Sequence, residues 1–173
     1  MYFSRFITLT AGILVGHAVT AQLCESPTKL CYNAPGSTPQ DVDIEDIQFV
    51  ASYLRSYGAQ TRAGRQFVMT AATAPDCAEW SLYSHGTVLA TARHINSTAN
   101  SSVLFADIAN TIDGGVGATD AQKADALIGC GTDGGSLGVV YNASNAQYNT
   151  AAYIANGYTP SGLIVKIVWS GVA

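Results

Sequence analysis

From Gln22 onward, short apolar runs alternate with polar turns, and the spacing of the apolar positions switches between helical and extended. Ile47, Val50, Ala51 and Leu54 recur at helical spacing and predict a first helix that Gly58 ends. Thr38-Pro39-Gln40-Asp41 supplies its start: Thr38 as cap, Pro39 in the first turn, and Asp41, Asp43, Glu45 and Asp46 near the positive end of the helix dipole. This acidic cluster lacks the glycine and the terminal glutamate of a calcium loop, so its role is structural. Phe67-Val68-Met69 predicts a short strand ahead of the Pro75-Asp76 break. Trp80 to Tyr83 and Thr87 to Ala92 predict two strands about Ser84-His85-Gly86, as a hairpin or as one long bulged strand.

A second helix is expected from Ser101 or Ser102. It carries Leu104, Phe105, Ile108, Ala109 and Ile112 on one face and stops at Asp113-Gly114-Gly115. Ala126 to Cys130 and Leu137 to Tyr141 read as strands about the glycine-rich turn between them. Ser144 to Gln147 has the form of a capping box opening a short helix with Tyr148, Ala152 and Ala155, and Leu163 to Trp169 is the last strand. Strands flank each helix and no repeat is visible. The expected fold is α+β, with a mixed or antiparallel sheet of about five strands covered on one face by two or three helices.

The first 21 residues differ from the rest. Arg5 precedes an apolar stretch from Phe6 to Val15, which leads into Ala18-Val19-Thr20-Ala21. The stretch is too short to span a bilayer, and the small residues after it form a cleavage pattern, so a signal peptide over 1–21 and a single secreted domain over 22–173 are expected. No second long apolar run or anchor tail follows, so neither a membrane span nor a lipid anchor is expected.

The remaining cations, Lys29, Arg55, Arg62, Arg65, Arg93, Lys123 and Lys166, face twelve carboxylates. The acidic balance argues against nucleic acid or an anionic membrane surface as partner. Cys24, Cys31, Cys77 and Cys130 all follow the cleavage pattern, and an even count in an oxidising compartment implies two disulfides with three possible connectivities. The favoured pairing is Cys24 with Cys31 and Cys77 with Cys130. Zinc is disfavoured, because no Cys-x-x-Cys occurs and neither His85 nor His94 stands at finger spacing. Asn96-Ser97-Thr98, Asn100-Ser101-Ser102 and Asn142-Ala143-Ser144 are glycosylation acceptors, and the first two mark an exposed loop.

Catalytic chemistry finds little support. No Gly-x-Ser-x-Gly elbow is present, and paired cysteines leave no free thiol for a Cys-His mechanism. Glu79, Asp107 and Asp113 could form a glycosidase pair, but Asp107 and Asp113 fall on the polar, solvated side of the second helix. Glu79, His85, Arg93 and His94 have the residue types of a ribonuclease, yet His94 and Arg93 point to opposite faces of a strand. Gly129 to Gly135 lacks the Gly-Lys-Ser/Thr ending of a phosphate loop. No catalytic residue, cofactor or metal is assigned.

The order Trp80, Tyr83, Gly86-Thr87, a strand, Asp107-Ile108-Ala109-Asn110-Thr111-Ile112, then Gly129-Cys130-Gly131 and a strand to Tyr141 resembles the secreted fungal effectors related to the smut killer toxins. The resemblance spans Cys77 to Tyr141. It implies an α/β-sandwich and a toxin, antifungal or plant-directed effector that works without catalysis; the expected partner is an unidentified target on or in a host or competitor cell, and the expected state is a monomer. Those families are commonly richer in cysteine, and Tyr148 to Ala173 has no counterpart in them. A small secreted hydrolase and a structural cell-wall protein are the alternatives.

Overall fold

The structure is a computed structural model that describes residues 22–172. The expected signal peptide, 1–21, lies outside the described residues. The elements are β1 (Leu30–Cys31), α1 (Ile44–Gly58), β2 (Gln66–Met69), β3 (Glu79–His85), β4 (Val88–His94), β5 (Ser101–Leu104), α2 (Phe105–Asp113), α3 (Asp120–Asp125), β6 (Gly135–Gly138), α4 (Ala151–Ala155) and β7 (Leu163–Trp169). Two 3₁₀ segments, Leu127–Asp133 and Ala146–Asn149, complete them. The fold is α+β: an antiparallel sheet in the order β1-β6-β7-β4-β3, and a separate antiparallel pair, β2-β5.

Alternation along the central strands decides which face is dry. Val88, Ala90, Ala92 and His94 of β4 and Leu163, Val165 and Ile167 of β7 are buried. Val88 and Ala90 of β4 and those residues of β7 join Ile47, Val50, Ala51 and Leu54 of α1 and Ile108, Ala109 and Ile112 of α2 in one core. The small alanines of β4 let α1 lie close to the sheet, and full burial of each large aliphatic contributes about 1.5–3 kcal/mol. The opposite sheet face is mixed, with Leu89, the fully buried Ile164 and Val168 beside Thr91, Arg93 and Lys166. There Lys166 bridges Glu25 at 2.7 Å and Glu79 at 2.9 Å, and Thr91 donates to Glu79 at 2.6 Å.

Several local expectations are corrected. The first helix does not start at Thr38-Pro39: Gln40 and Val42 donate backbone N–H groups to Asp133 and Thr132, Asp41 takes φ 53°, and Asp43 is the N-cap. Ser101 and Ser102 do not open the second helix, because they pair with Met69 and Val68 in β5 and the helix starts at Phe105. Ala126 to Cys130 is not a strand. Leu127–Asp133 winds as 3₁₀ turns broken at Gly131, and the strand beyond covers Gly135–Gly138 rather than Leu137 to Tyr141. Asn145, not Ser144, caps the 3₁₀ turn that precedes α4.

The cysteine pairing is also corrected. Cys24 bonds Cys77, 53 positions on, and Cys31 bonds Cys130, 99 positions on. The first segment crosses the sheet instead of looping on itself. Cys24 donates its N–H to Ile95 near the end of β4, whereas Cys31 pairs with Gly135 in β6, so each sulfur meets a different distant partner. Loop closure of these lengths restricts the unfolded chain by about 4–5 kcal/mol each in the chain-entropy account. Two disulfides fit an oxidising compartment. Among the described residues no helix is long and apolar enough to cross a membrane.

Candidate functional site

Helical period places Phe49, Tyr53 and Tyr57 at successive i, i+4 positions, one turn apart on a row that drifts from the exposed side of α1 at Phe49 to the flank of its buried Val50 and Leu54 at Tyr57. Phe49 is 47% and Tyr53 41% exposed. Strand β3 supplies the facing rings. Its register with β4 shifts between Ser81 and Tyr83, and beyond this bulge Tyr83 and His85 pair with Ala90 and Val88, whose side chains face the helices. His85 stacks on Phe49 with centroids 3.8 Å apart, and Tyr83 on Tyr53 at 3.6 Å.

The row continues inward. Tyr53 and Tyr57 lie parallel at 6.4 Å, Tyr57 meets Phe105 edge-on at 4.9 Å, and Phe67 links Phe105 to Trp80. Arg65 covers Tyr57, its guanidinium carbon 4.6 Å from the ring centre, and donates to the Tyr57 hydroxyl at 3.0 Å. A recess of about 280 Å³ opens among Tyr53, Leu54, Tyr57, Leu82, Tyr83 and Phe105. Each aromatic pair adds about 0.5–1.5 kcal/mol beyond its burial, so the rings hold one another in place.

The hairpin tip is pinned to α1. Thr87 donates its N–H and its hydroxyl to Asp46 Oδ2, each at 2.8 Å, while Thr87 Oγ1 accepts from the Asp43 N–H at 2.7 Å. These bonds hold the Asp46 carboxyl below the usual carboxylate range. Gly86, at φ 51°, faces the same carboxylate so closely that any side chain there would collide with it. His85 Nε2 stands 3.8 Å from Asp46 Oδ1.

The titratable residues singled out in the sequence are dispersed. Glu79 and Arg93 lie on the sheet face opposite the core, where Arg93 Nε donates to the Cys77 carbonyl at 2.9 Å. Burial pushes the Glu79 carboxyl up, but Thr91, Lys166 and Arg93 outweigh it and hold the group below its ordinary value. His94 is fully buried on the opposite face, with Nε2 2.9 Å from the Met69 carbonyl oxygen. Asp113 pairs with Arg55 at 2.7 Å. Asp107 is not on a solvated side: it is 8% exposed, and its Oδ2 accepts the Tyr148 hydroxyl at 2.6 Å. Burial raises its carboxyl above the ordinary range against the hydrogen bonds of Tyr148 and Asn142. The buried acid is covered by a tyrosine 41 positions away, which helical period cannot register.

Asn96 folds into a turn, accepting from the N–H and hydroxyl of Thr98 at 2.9 and 2.8 Å. Asn142 is exposed and accepts from the Ser144 N–H at 3.0 Å. Asn100 is half-buried and accepts from the Ala71 N–H, and the Ser102 that completes its acceptor tripeptide is fully buried. The aromatic row was legible in part: Phe49-x-x-x-Tyr53-x-x-x-Tyr57 is an i, i+4 stripe along a helix. The contribution of Tyr83 and His85 depends on the bulge. No known protein family, curated protein or solved structure matches the chain.

Proposed function

We propose that the chain is a secreted, non-catalytic effector, of the killer-toxin-like kind, that binds a protein target on or in another cell through the aromatic face of α1 and β3. The observation that carries this reading is a pair of aromatic stacks between α1 and β3, Phe49 on His85 and Tyr53 on Tyr83, in which Phe49, Tyr53 and His85 are exposed and Tyr83 is half-buried. Rigid aromatic rings give large contact area for little lost entropy, and such residues are enriched at the energetic centre of protein interfaces. The acidic residues Asp41, Asp43 and Glu45 are exposed at one end of the row and favour a basic patch on the target. Two disulfides and the cleavable N-terminal pattern support export. The dispersal of Glu79, Asp107, Asp113 and the histidines, each in its own structural pairing, supports binding over hydrolysis.

The test replaces Phe49 and Tyr53 together by Ser and compares growth inhibition or cell death on fungal, bacterial and plant cells, with target capture by the unmodified protein. Loss of both the effect and the captured partner, with the thermal midpoint retained, is the expected result. Glu79→Gln should leave the effect intact. An effect that survives the double change but is lost with Glu79→Gln transfers the function to a hydrolase.

A further inference from the structure

A second concave site lies away from the aromatic face, in a cleft of about 380 Å³ between α2, α3 and the 140–142 segment. Asp107, Asn110, Gln122, Asp125, Tyr141 and Asn142 line it. The orientation of its three carboxamides is settled by their neighbours. Asn110 Oδ1 accepts from the Arg55 guanidinium at 3.2 Å, Gln122 Oε1 from the Thr119 N–H at 2.9 Å, and Asn142 Oδ1 from the Ser144 N–H at 3.0 Å. Each of these donors can bond only to an oxygen, so the carbonyl ends are fixed by the fold. The three NH₂ ends are left without a protein partner among the described residues. Beside them stand two carboxylates: Asp107, held rigidly by Tyr148, and Asp125 at the end of α3.

We infer that this cleft is a binding site for a neutral sugar residue of an oligo- or polysaccharide. A sugar hydroxyl donates and accepts at once, and vicinal hydroxyls match a carboxamide NH₂ set beside a carboxylate oxygen. Val140 and Tyr141 give an apolar wall for the carbon face of a pyranose ring. The other ligand classes fit worse. Among the described residues neither Lys nor Arg lines the cleft, so an anion lacks a counter-charge. A hard cation needs several oxygen ligands, and here the carboxamide oxygens are already engaged. The volume falls in the range of small-ligand sites. Asn142 stands at the mouth, so a glycan on its side chain would occupy the NH₂ nitrogen and narrow the entrance.

The test is a titration of the disulfide-bonded protein, made without N-glycans, with gluco-, chito-, xylo- and manno-trisaccharides, followed by backbone amide NMR. Saturable shifts at residues 107–111, 122–126 and 140–142 with at least one sugar are expected. Asn110→Asp and Gln122→Glu each keep the oxygen that Arg55 or Thr119 needs and replace only the NH₂ donor, so the fold is retained. Each should weaken binding roughly tenfold. The inference is overturned if none of the four sugars gives saturable shifts, or if the two variants bind as the unmodified protein does. Shifts confined to the recess of Tyr53, Tyr57 and Tyr83 would overturn it as well, placing the sugar on the aromatic face instead.

Discussion

Single side chains tie distant elements together, and the pH dependence of stability follows from them. Asp46 is held below its ordinary value of 3.8 by Thr87, and Glu79 below 4.5 by the hydroxyl and cations around it. Carboxylates so depressed contribute stability that is present above the ordinary values and lost as pH falls through the lower, folded ones. Burial pushes the Lys166 ammonium down, but Glu25 and Glu79 outweigh it and raise the group above 10.5, so its contribution holds below that value and is lost as pH rises through the folded one. Urea unfolding should therefore show stability falling below about pH 4.5 as the contributions of Asp46 and Glu79 are lost and above about pH 10.5 as that of Lys166 is lost, while Asp107, raised by burial, acts with the opposite sign and tilts the plateau between them downward from its acid side. Lys166→Met should lower the plateau and flatten its alkaline edge. The acceptor asparagines should also differ: peptide mass mapping of protein from a glycosylating host should find Asn96 occupied and Asn100 largely bare, because Ser102 is buried in β5.

Elements with a strong apolar period were legible in the sequence: the buried stripe of α1, the two strands about His85-Gly86, and β7. Those whose form depends on a distant partner were not. Ser101 and Ser102 have the composition of a helix cap, yet the Ser102 hydroxyl donates to Gln66 at 2.7 Å and the segment completes a sheet with β2. Tertiary pairing outweighs local propensity there. Helix α3 was missed although Thr119 and Gln122 carry the capping-box spacing, because its residues are all polar or alanine and no apolar period announces it. Of the candidate site, the helix stripe could be read, whereas its facing rings could not. Asp113-Gly114 was a sound stop: Gly114 takes φ 85° and its N–H closes α2 on Asn110. Gly114→Ala should cost about 1 kcal/mol or more, since an added carbon also meets the Gln122 carbonyl, and a lowered urea midpoint at unchanged slope would register it.

At the scale of the whole molecule, the disulfides join the start of the described chain to the turn before β3 and to the 3₁₀ segment before β6. Digestion without reduction should release Cys24 linked to Cys77 and Cys31 linked to Cys130. Replacing Cys31 and Cys130 by Ser should cost about 2–5 kcal/mol in urea unfolding. The sheet has two margins. One is the two-residue β1, stapled by Cys31; the other is the seven-residue β3, which among the described residues pairs on one side only. An open strand of that length is a template on which a second molecule could add, and the register shift between Ser81 and Tyr83 interrupts the even ladder that such growth requires. The irregularity that aims Tyr83 at Tyr53 thus also acts as a brake on fibre formation. Deleting Leu82 to straighten the strand should scatter the aromatic row and, in sedimentation at high concentration, turn a single light species into growing assemblies.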